Sequence, residues 1–188
     1  MTFPEIILAS ASPRRSELLA QAGIKFVVDP AHVDESRLPG ERPEDYAVRA
    51  ALDKARATAD RHGSGIVMGA DTIVVVDGEI LGKPGGRDEA RQMLSRISGR
   101  THTVMTGVAL VDAATGRSAT GFEATEVTIR RLAPEEIEEY VDSGEPMDKA
   151  GAYGIQGRFA VYVEGVRGCF FNVVGLPLSR AALMLKGF

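Results

Sequence analysis

The run Ile66–Val76, IVMGADTIVVV, is the strongest constraint on what this chain can fold into. Its eleven residues are mostly apolar and often β-branched, so they read as a buried strand broken only by Gly69, Ala70, Asp71 and Thr72. A carboxylate in such a run must be compensated, because an isolated charge in an apolar interior is costly. Asp71 is therefore either a paired structural acid or a metal ligand and base at the edge of a sheet. Asp77-Gly78 then reads as a two-residue hairpin turn into Glu79, Ile80 and Leu81.

Around this strand the chain alternates helices and strands. Glu5 to Ala9 is a short strand, and Ser12 and Pro13 suit the N-cap and first position of a helix that Gly23 closes. A strand over Ile24–Val28, a loop over Asp29–Arg42 and an Ala-rich helix from Pro43 to near Arg61 follow. Further on, a helix is expected over Asp88–Ser98, strands over Thr101–Val111 and Ser118–Ile129, and a helix over Pro134–Asp142. The end of the chain reads as strands near Phe159–Val163 and Phe170–Val174 and a helix from Pro177. Helices alternating with strands, together with hairpins, require an α/β fold on a mixed sheet, expected as two lobes with a cleft. With 188 residues and no linker, residues 1–188 are expected to form one domain.

Five further places carry candidate chemistry. Ser10–Arg15, SASPRR, sets two hydroxyls and the guanidiniums of Arg14 and Arg15 at a helix start. Arg has the wrong sign for that end of the helix dipole unless an anion compensates it. Lys54 falls on the apolar stripe Ala47, Ala50, Ala51, Ala55, so its ammonium must either snorkel outward or meet an anion. Lys83, between Gly82 and Pro84, is a cation just after the hairpin; Gly78–Pro84 is no Walker A loop, having three residues between its glycines and Pro where Ser or Thr is needed. Asp34 or Glu35, in the loop after the second strand, could complete a magnesium site with Asp71. Lastly, Asp148–Gly157, DKAGAYGIQG, is rich in Gly and Ala around Tyr153 and Gln156, which lets backbone approach a flat ligand closely.

Composition removes other classes. A formal charge of −4 gives no positive field to hold a nucleic acid. One cysteine, Cys169, and three scattered histidines supply neither a disulfide nor a zinc site, which points to a reducing cytoplasmic setting. No apolar run has the length of a membrane span, so no membrane partner is expected. There is no G-x-S-x-G elbow, and Cys169 has no activating partner in sequence, so covalent hydrolysis is unsupported; beside Phe170 and Phe171 it reads as a core thiol. Four cations and two or three acids on one α/β unit suit a polyphosphate with a divalent metal.

The chain resembles the Maf-like nucleoside triphosphate pyrophosphatases over essentially its whole length. The resemblance is carried by LASASPRRSELL at Leu8–Leu19, the Lys54 helix, GADTIVVVDGEILGKP at Gly69–Pro84, SGRTHTVMTGV at Ser98–Val108, EPMDKAGAYGIQG at Glu145–Gly157 and NVVGLPL at Asn172–Leu178. It implies an elongated α/β fold with a deep cleft, similar to the inosine triphosphate pyrophosphatases, in a cytoplasmic and often homodimeric protein. The implied reaction converts a nucleoside triphosphate and water to the monophosphate and pyrophosphate with magnesium or manganese. Asp71 matches the proton acceptor; Ser10, Arg15, Lys54 and Lys83 match positions of phosphate binding or catalysis; Glu35 matches an acid that helps hold the metal.

Arg14, Thr72 and Gln156 match the positions that separate the dTTP/UTP branch from the 7-methyl-GTP branch, where the Gln156 position is Glu. Chemistry agrees, since an amide donates and accepts and so suits the O4/N3–H edge of uracil or thymine, whereas a carboxylate suits the donors of guanine. The alternatives are a 7-methyl-GTP or broad house-cleaning pyrophosphatase and a nucleotide-sensing regulator of septum formation. Phe159 and Phe170 depart from residues common in the family, outside the implied catalytic set.

Overall fold

The computed structural model describes residues 3–188. In chain order its elements are β1 (Ile6–Leu8), α1 (Pro13–Gln21), β2 (Phe26–Val28), α2 (Pro43–Ala59), β3 (Ile66–Val76), β4 (Glu79–Leu81) and α3 (Arg87–Ile97). There follow β5 (Thr101–Asp112), β6 (Ser118–Ile129), α4 (Pro134–Asp142), β7 (Val163–Arg167), α5 (Phe170–Val174) and α6 (Leu178–Gly187). The strands form one seven-stranded sheet in the order β2-β1-β3-β5-β6-β7, with β4 beside β3. β1 runs parallel to β2 and β3, whereas β3–β4 and β6–β7 are antiparallel. The mixed α/β expectation is met. Asp77 and Gly78 both take positive φ, +52° and +79°, as the tightest hairpin turn demands.

The chain forms two compact units, and β3, β5 and β6 each contribute to both. Of the described residues, the first holds 3–72, 106–123 and 175–188. Its core sets the alanine face of α2 against the sheet: Ala51, Ala55 and Ala59 pack with Ala9, Val67, Ala109 and Val111. Contact is unusually close because two strands present glycine there. A Cβ on Gly69 would lie 2.1 Å from the Ala51 carbonyl oxygen, and one on Gly107 2.1 Å from that of Ala47. The small pair Gly69-Ala70 thus lets α2 settle onto the strand that carries Asp71.

The second unit holds residues 73–105 and 124–174. Its core includes Phe159, fully buried, with the rings of Tyr140, Tyr153 and Tyr162 at 5.0, 4.8 and 5.2 Å. This cluster corrects one expectation: Arg158–Tyr162 is a 3-10 turn, and the strand begins only at Val163. Phe170–Val174 is likewise a short helix rather than a strand. It buries Asn172, whose Nδ2 donates to the Val104 carbonyl at 2.9 Å and to Thr125 Oγ1 at 3.0 Å. Cys169 is half-buried and not a core thiol.

His102 is buried on β5, its Nε2 2.7 Å from Tyr153 Oη, and burial pushes its pKa down to about 4. Unfolded histidine titrates near 6.5. Between those values the unfolded chain binds the extra proton, so the stability due to a neutral His102 is complete above about pH 6.5 and falls away as pH drops toward about 4. Urea unfolding at pH 7.5 and 4.5 should show this loss, about 3 kcal/mol at full extent, and the His102→Gln variant should lack it. Equal pH dependence in the two proteins would contradict it.

Candidate active site

The first unit gathers most of the candidate residues. At its centre Lys54 Nζ, reaching from α2, lies 2.6 Å from Asp71 Oδ1 and 2.6 Å from Glu35 Oε2. The side chains of Lys54 and Asp71 are 11% and 10% exposed, that of Glu35 51%. Of the two alternatives for Lys54, the structure takes the second: its head meets anions.

Asp34 and Glu35 are adjacent but used differently. Asp34 Oδ1 accepts from Ser36 N at 2.9 Å and Ser36 Oγ at 2.6 Å, bonds that hold its carboxyl below the usual pKa. Asp34 therefore closes a local turn, and Glu35 is the acid delivered to Lys54. Two residues of α2 fix that loop. Tyr46 Oη donates to the Glu35 carbonyl at 2.8 Å, and Arg49 Nη2 donates to the Ser36 carbonyl at 3.0 Å while its guanidinium pairs with Glu41 at 2.6 Å. Burial, then Asp71 and Glu35, push the Tyr46 phenol up to about 12. Sequence reasoning missed Tyr46. The available signal was its place eight residues before Lys54, about two helical turns along the same face.

The Ser-Pro loop builds the second part. Ser12 stands at the N-cap of α1, but its hydroxyl caps nothing; instead the Ser12 N–H donates to Ser10 Oγ at 3.3 Å. Arg15 is buried and spends its guanidinium on three neutral acceptors: Nε on the Gly175 carbonyl at 2.9 Å, Nη1 on Ser10 Oγ at 2.8 Å and Nη2 on Thr72 Oγ1 at 3.2 Å. Burial pushes its pKa below the ordinary value, Asp71 opposes that, and neighbouring Arg14 adds to it. Arg14 itself is half-buried. Thr72 Oγ1 also lies 2.9 Å from the hydroxyl of buried Thr106, a residue sequence reasoning did not single out.

Lys83 and Gln156 belong to the second unit, and both are exposed. Their segments are joined there by the Gly151 N–H, which donates to the Gly82 carbonyl at 3.0 Å. Gly151 has φ +67°, and a Cβ on it would lie 2.8 Å from Val74, so glycine is required for this approach.

Among the described residues no group of three or more His, Cys, Asp or Glu could hold a metal. The pair Asp71 and Glu35, converging on one ammonium, nonetheless fits magnesium or manganese. Magnesium commonly takes one or two protein carboxylates and completes its shell with substrate phosphates and water.

The sequence profile of the Maf-like protein family matches residues 5–188. This chain belongs to the Maf-like family. A relative from Symbiobacterium thermophilum named dTTP/UTP pyrophosphatase is 54% identical over 187 residues, 98% of this chain and 94% of the relative. Relatives of the same name from Koribacter versatilis and Syntrophomonas wolfei are 51% and 52% identical over 96% and 95% of this chain and 93% and 94% of their own. Among solved structures, one titled "The structure of the Staphylococcus aureus Ham1 protein" is similar at TM-score 0.46 and 15% identity, covering 66% of this chain and 71% of that one. In the Maf-like frame, Glu35, Lys54 and Asp71 form one set of ion pairs and Ser10, Arg15 and Thr72 one set of hydrogen bonds, both in the first unit and adjoining at the consecutive residues Asp71 and Thr72, with Arg14 next to Arg15 in the chain.

Proposed function

We propose that this chain is a dTTP/UTP pyrophosphatase, hydrolysing the α–β phosphoanhydride bond of either nucleotide to the monophosphate and pyrophosphate. The observation that carries the reading is Arg15: a buried guanidinium held by neutral acceptors, with no ion pair among the described residues, beside the Lys54–Asp71 pair. Such a cation feels Asp71 and Glu35 only through space and has no direct ionic contact until an anion arrives, and a triphosphate supplies one. The name borne by relatives about 50% identical over nearly the whole chain supports the pyrimidine substrates.

In this reading Lys54 Nζ occupies Asp71 Oδ1 and leaves Oδ2 to accept a proton. A water oxygen bonds to the α-phosphorus, one of its protons passes to Asp71 Oδ2, and the bond from that phosphorus to the bridging oxygen breaks. Pyrophosphate leaves with the bond's electron pair. Arg15, Arg14, Lys54 and Lys83 neutralise the charge on the phosphates, Ser10 orients Arg15, and Gln156 reads the base through its amide. Thr72 acts on selectivity through Arg15, which it touches. Magnesium or manganese, held by Asp71 and Glu35, would polarise phosphoryl oxygens and lower the pKa of a bound water. A homodimer and a cytoplasmic setting belong to the same proposal. Among the described residues no helix is long and apolar enough to cross a membrane.

The test is turnover of UTP, dTTP, CTP, GTP and 7-methyl-GTP with magnesium, products resolved by chromatography, in the wild type and Gln156→Glu. Monophosphate and pyrophosphate from UTP and dTTP are expected, with roughly 10-fold or greater loss of kcat/KM for these two in the variant. A wild-type preference for 7-methyl-GTP would move the chain to the other branch; binding without turnover would make it a nucleotide-sensing regulator.

A further inference from the structure

The residue expected to read the base, Gln156, sits at the tip of a turn whose two ends are tied together by one carboxylate. The Gly157 N–H donates to the Gly154 carbonyl at 3.2 Å, closing a tight turn with Ile155 buried and Gln156 exposed at its centre. On one side, the Gly154 N–H donates to Tyr140 Oη at 3.2 Å, and Tyr140 Oη in turn donates to Glu145 Oε1 at 2.9 Å. On the other, the Arg158 N–H donates to Glu145 Oε2 at 3.0 Å.

We propose that Glu145, acting with Tyr140, is a positioning residue for base selection: it holds the Gly154–Arg158 turn so that the Gln156 amide is presented in one place. This rests on the reading of Gln156 given above. Three observations carry it. The Tyr140 anchor is itself rigid, 3% exposed on α4 with its ring on Phe159. Gly157 makes room for the carboxylate, since a Cβ there would lie 2.0 Å from Glu145 Oε1 and 2.5 Å from Cδ. The pattern of donors also favours a carboxylate. Both Glu145 oxygens accept, one from a phenol and one from a backbone amide; a glutamine could meet both only with its oxygen on the Arg158 N–H and its own N–H on Tyr140 Oη, which removes the charge and leaves the phenol proton without its acceptor.

A side chain that recognises a base by hydrogen bonds is only as selective as its placement, so loosening the turn should cost selectivity before it costs chemistry. The test compares kcat/KM for UTP with that for base-less ribose 5-triphosphate in the wild type, Glu145→Gln, Gly157→Ala and Tyr140→Phe. In Glu145→Gln and Gly157→Ala the ratio should fall roughly 10-fold, with the base-less substrate hydrolysed at the wild-type rate. Tyr140→Phe, which keeps the ring, should give a smaller fall. Equal losses on both substrates would assign Glu145 a purely structural role and overturn the proposal.

Gln156→Ala separates the two levels of the argument. If it leaves the ratio unchanged, the reading of Gln156 fails. If it collapses the ratio while Glu145→Gln and Gly157→Ala keep the wild-type value, the reading stands and the positioning role of Glu145 is lost. Should Glu145→Gln not fold, the Gly157→Ala and Tyr140→Phe ratios decide between the same outcomes.

Discussion

Asp71→Asn is expected to lower kcat for UTP by roughly 10²-fold or more while changing KM far less. The substitution keeps the shape of a side chain only 10% exposed and keeps an oxygen for Lys54 Nζ, but the amide cannot take a proton from water. Proton acceptance is needed in the transition state and not for substrate binding, so the loss falls on kcat. The fold should survive, because Lys54 retains Glu35 as an ionic partner at 2.6 Å. Circular dichroism and a thermal melt would check this. Glu35→Gln provides the contrast: its side chain is half-exposed and reaches Asp71 only through Lys54, so its effect should be smaller and should depend on magnesium concentration. Steady-state kinetics of both variants decide the assignment. A wild-type kcat in Asp71→Asn would remove Asp71 as the proton acceptor.

That Asp71 could be singled out from sequence follows from the physics of its surroundings. A charge in an apolar strand is legible because the strand is legible, and β3 has the bounds Ile66–Val76 that its composition implies. Lys54 on the alanine stripe was legible for the same reason. What could not be read are choices made by distant contacts. Which acid of Asp34 and Glu35 meets Lys54 depends on Ser36 capturing the first and on Tyr46 and Arg49 holding the loop backbone. The function of Gly69 and Gly107 emerges only when α2 lies on them.

The misread segments are short apolar runs, where periodicity does not separate helix from strand. Phe170–Val174 has strand-like composition, yet the buried bonds of Asn172 to Val104 and Thr125 select a helix. Phe159 has the composition of a strand residue, and what places it in a turn instead is not local: it packs on Tyr140 and Tyr153 from other segments as well as on Tyr162 of its own turn. The cap of α1 illustrates a finer limit. Ser12 and Pro13 mark the helix start correctly, but the hydroxyl that matters is that of Ser10, which is turned toward Arg15.

Arg15→Met separates stability from function most sharply. A buried guanidinium carries a desolvation cost that neutral acceptors only partly offset, and replacing buried charge by an apolar side chain of similar reach is often neutral or stabilising. The acceptors left behind are not stranded. Ser10 Oγ keeps the Ser12 N–H, Thr72 Oγ1 keeps Thr106, and the Gly175 carbonyl has Thr72 Oγ1 at 3.4 Å as a donor. The variant should therefore melt at or above the wild-type temperature while kcat/KM for UTP falls by roughly 10²-fold or more. Pyrophosphate supplies a readout independent of turnover: a ligand bound only by the folded state raises the melting temperature, so the wild type should be stabilised by it and the variant much less. Arg15→Lys should not rescue activity, since one ammonium cannot meet three acceptors spread over Gly175, Ser10 and Thr72. Wild-type kcat/KM in Arg15→Met, or a strong loss of stability with pyrophosphate binding intact, would make Arg15 a structural residue. The buried cation would then be there for the fold, and the phosphate chain would have to be met elsewhere.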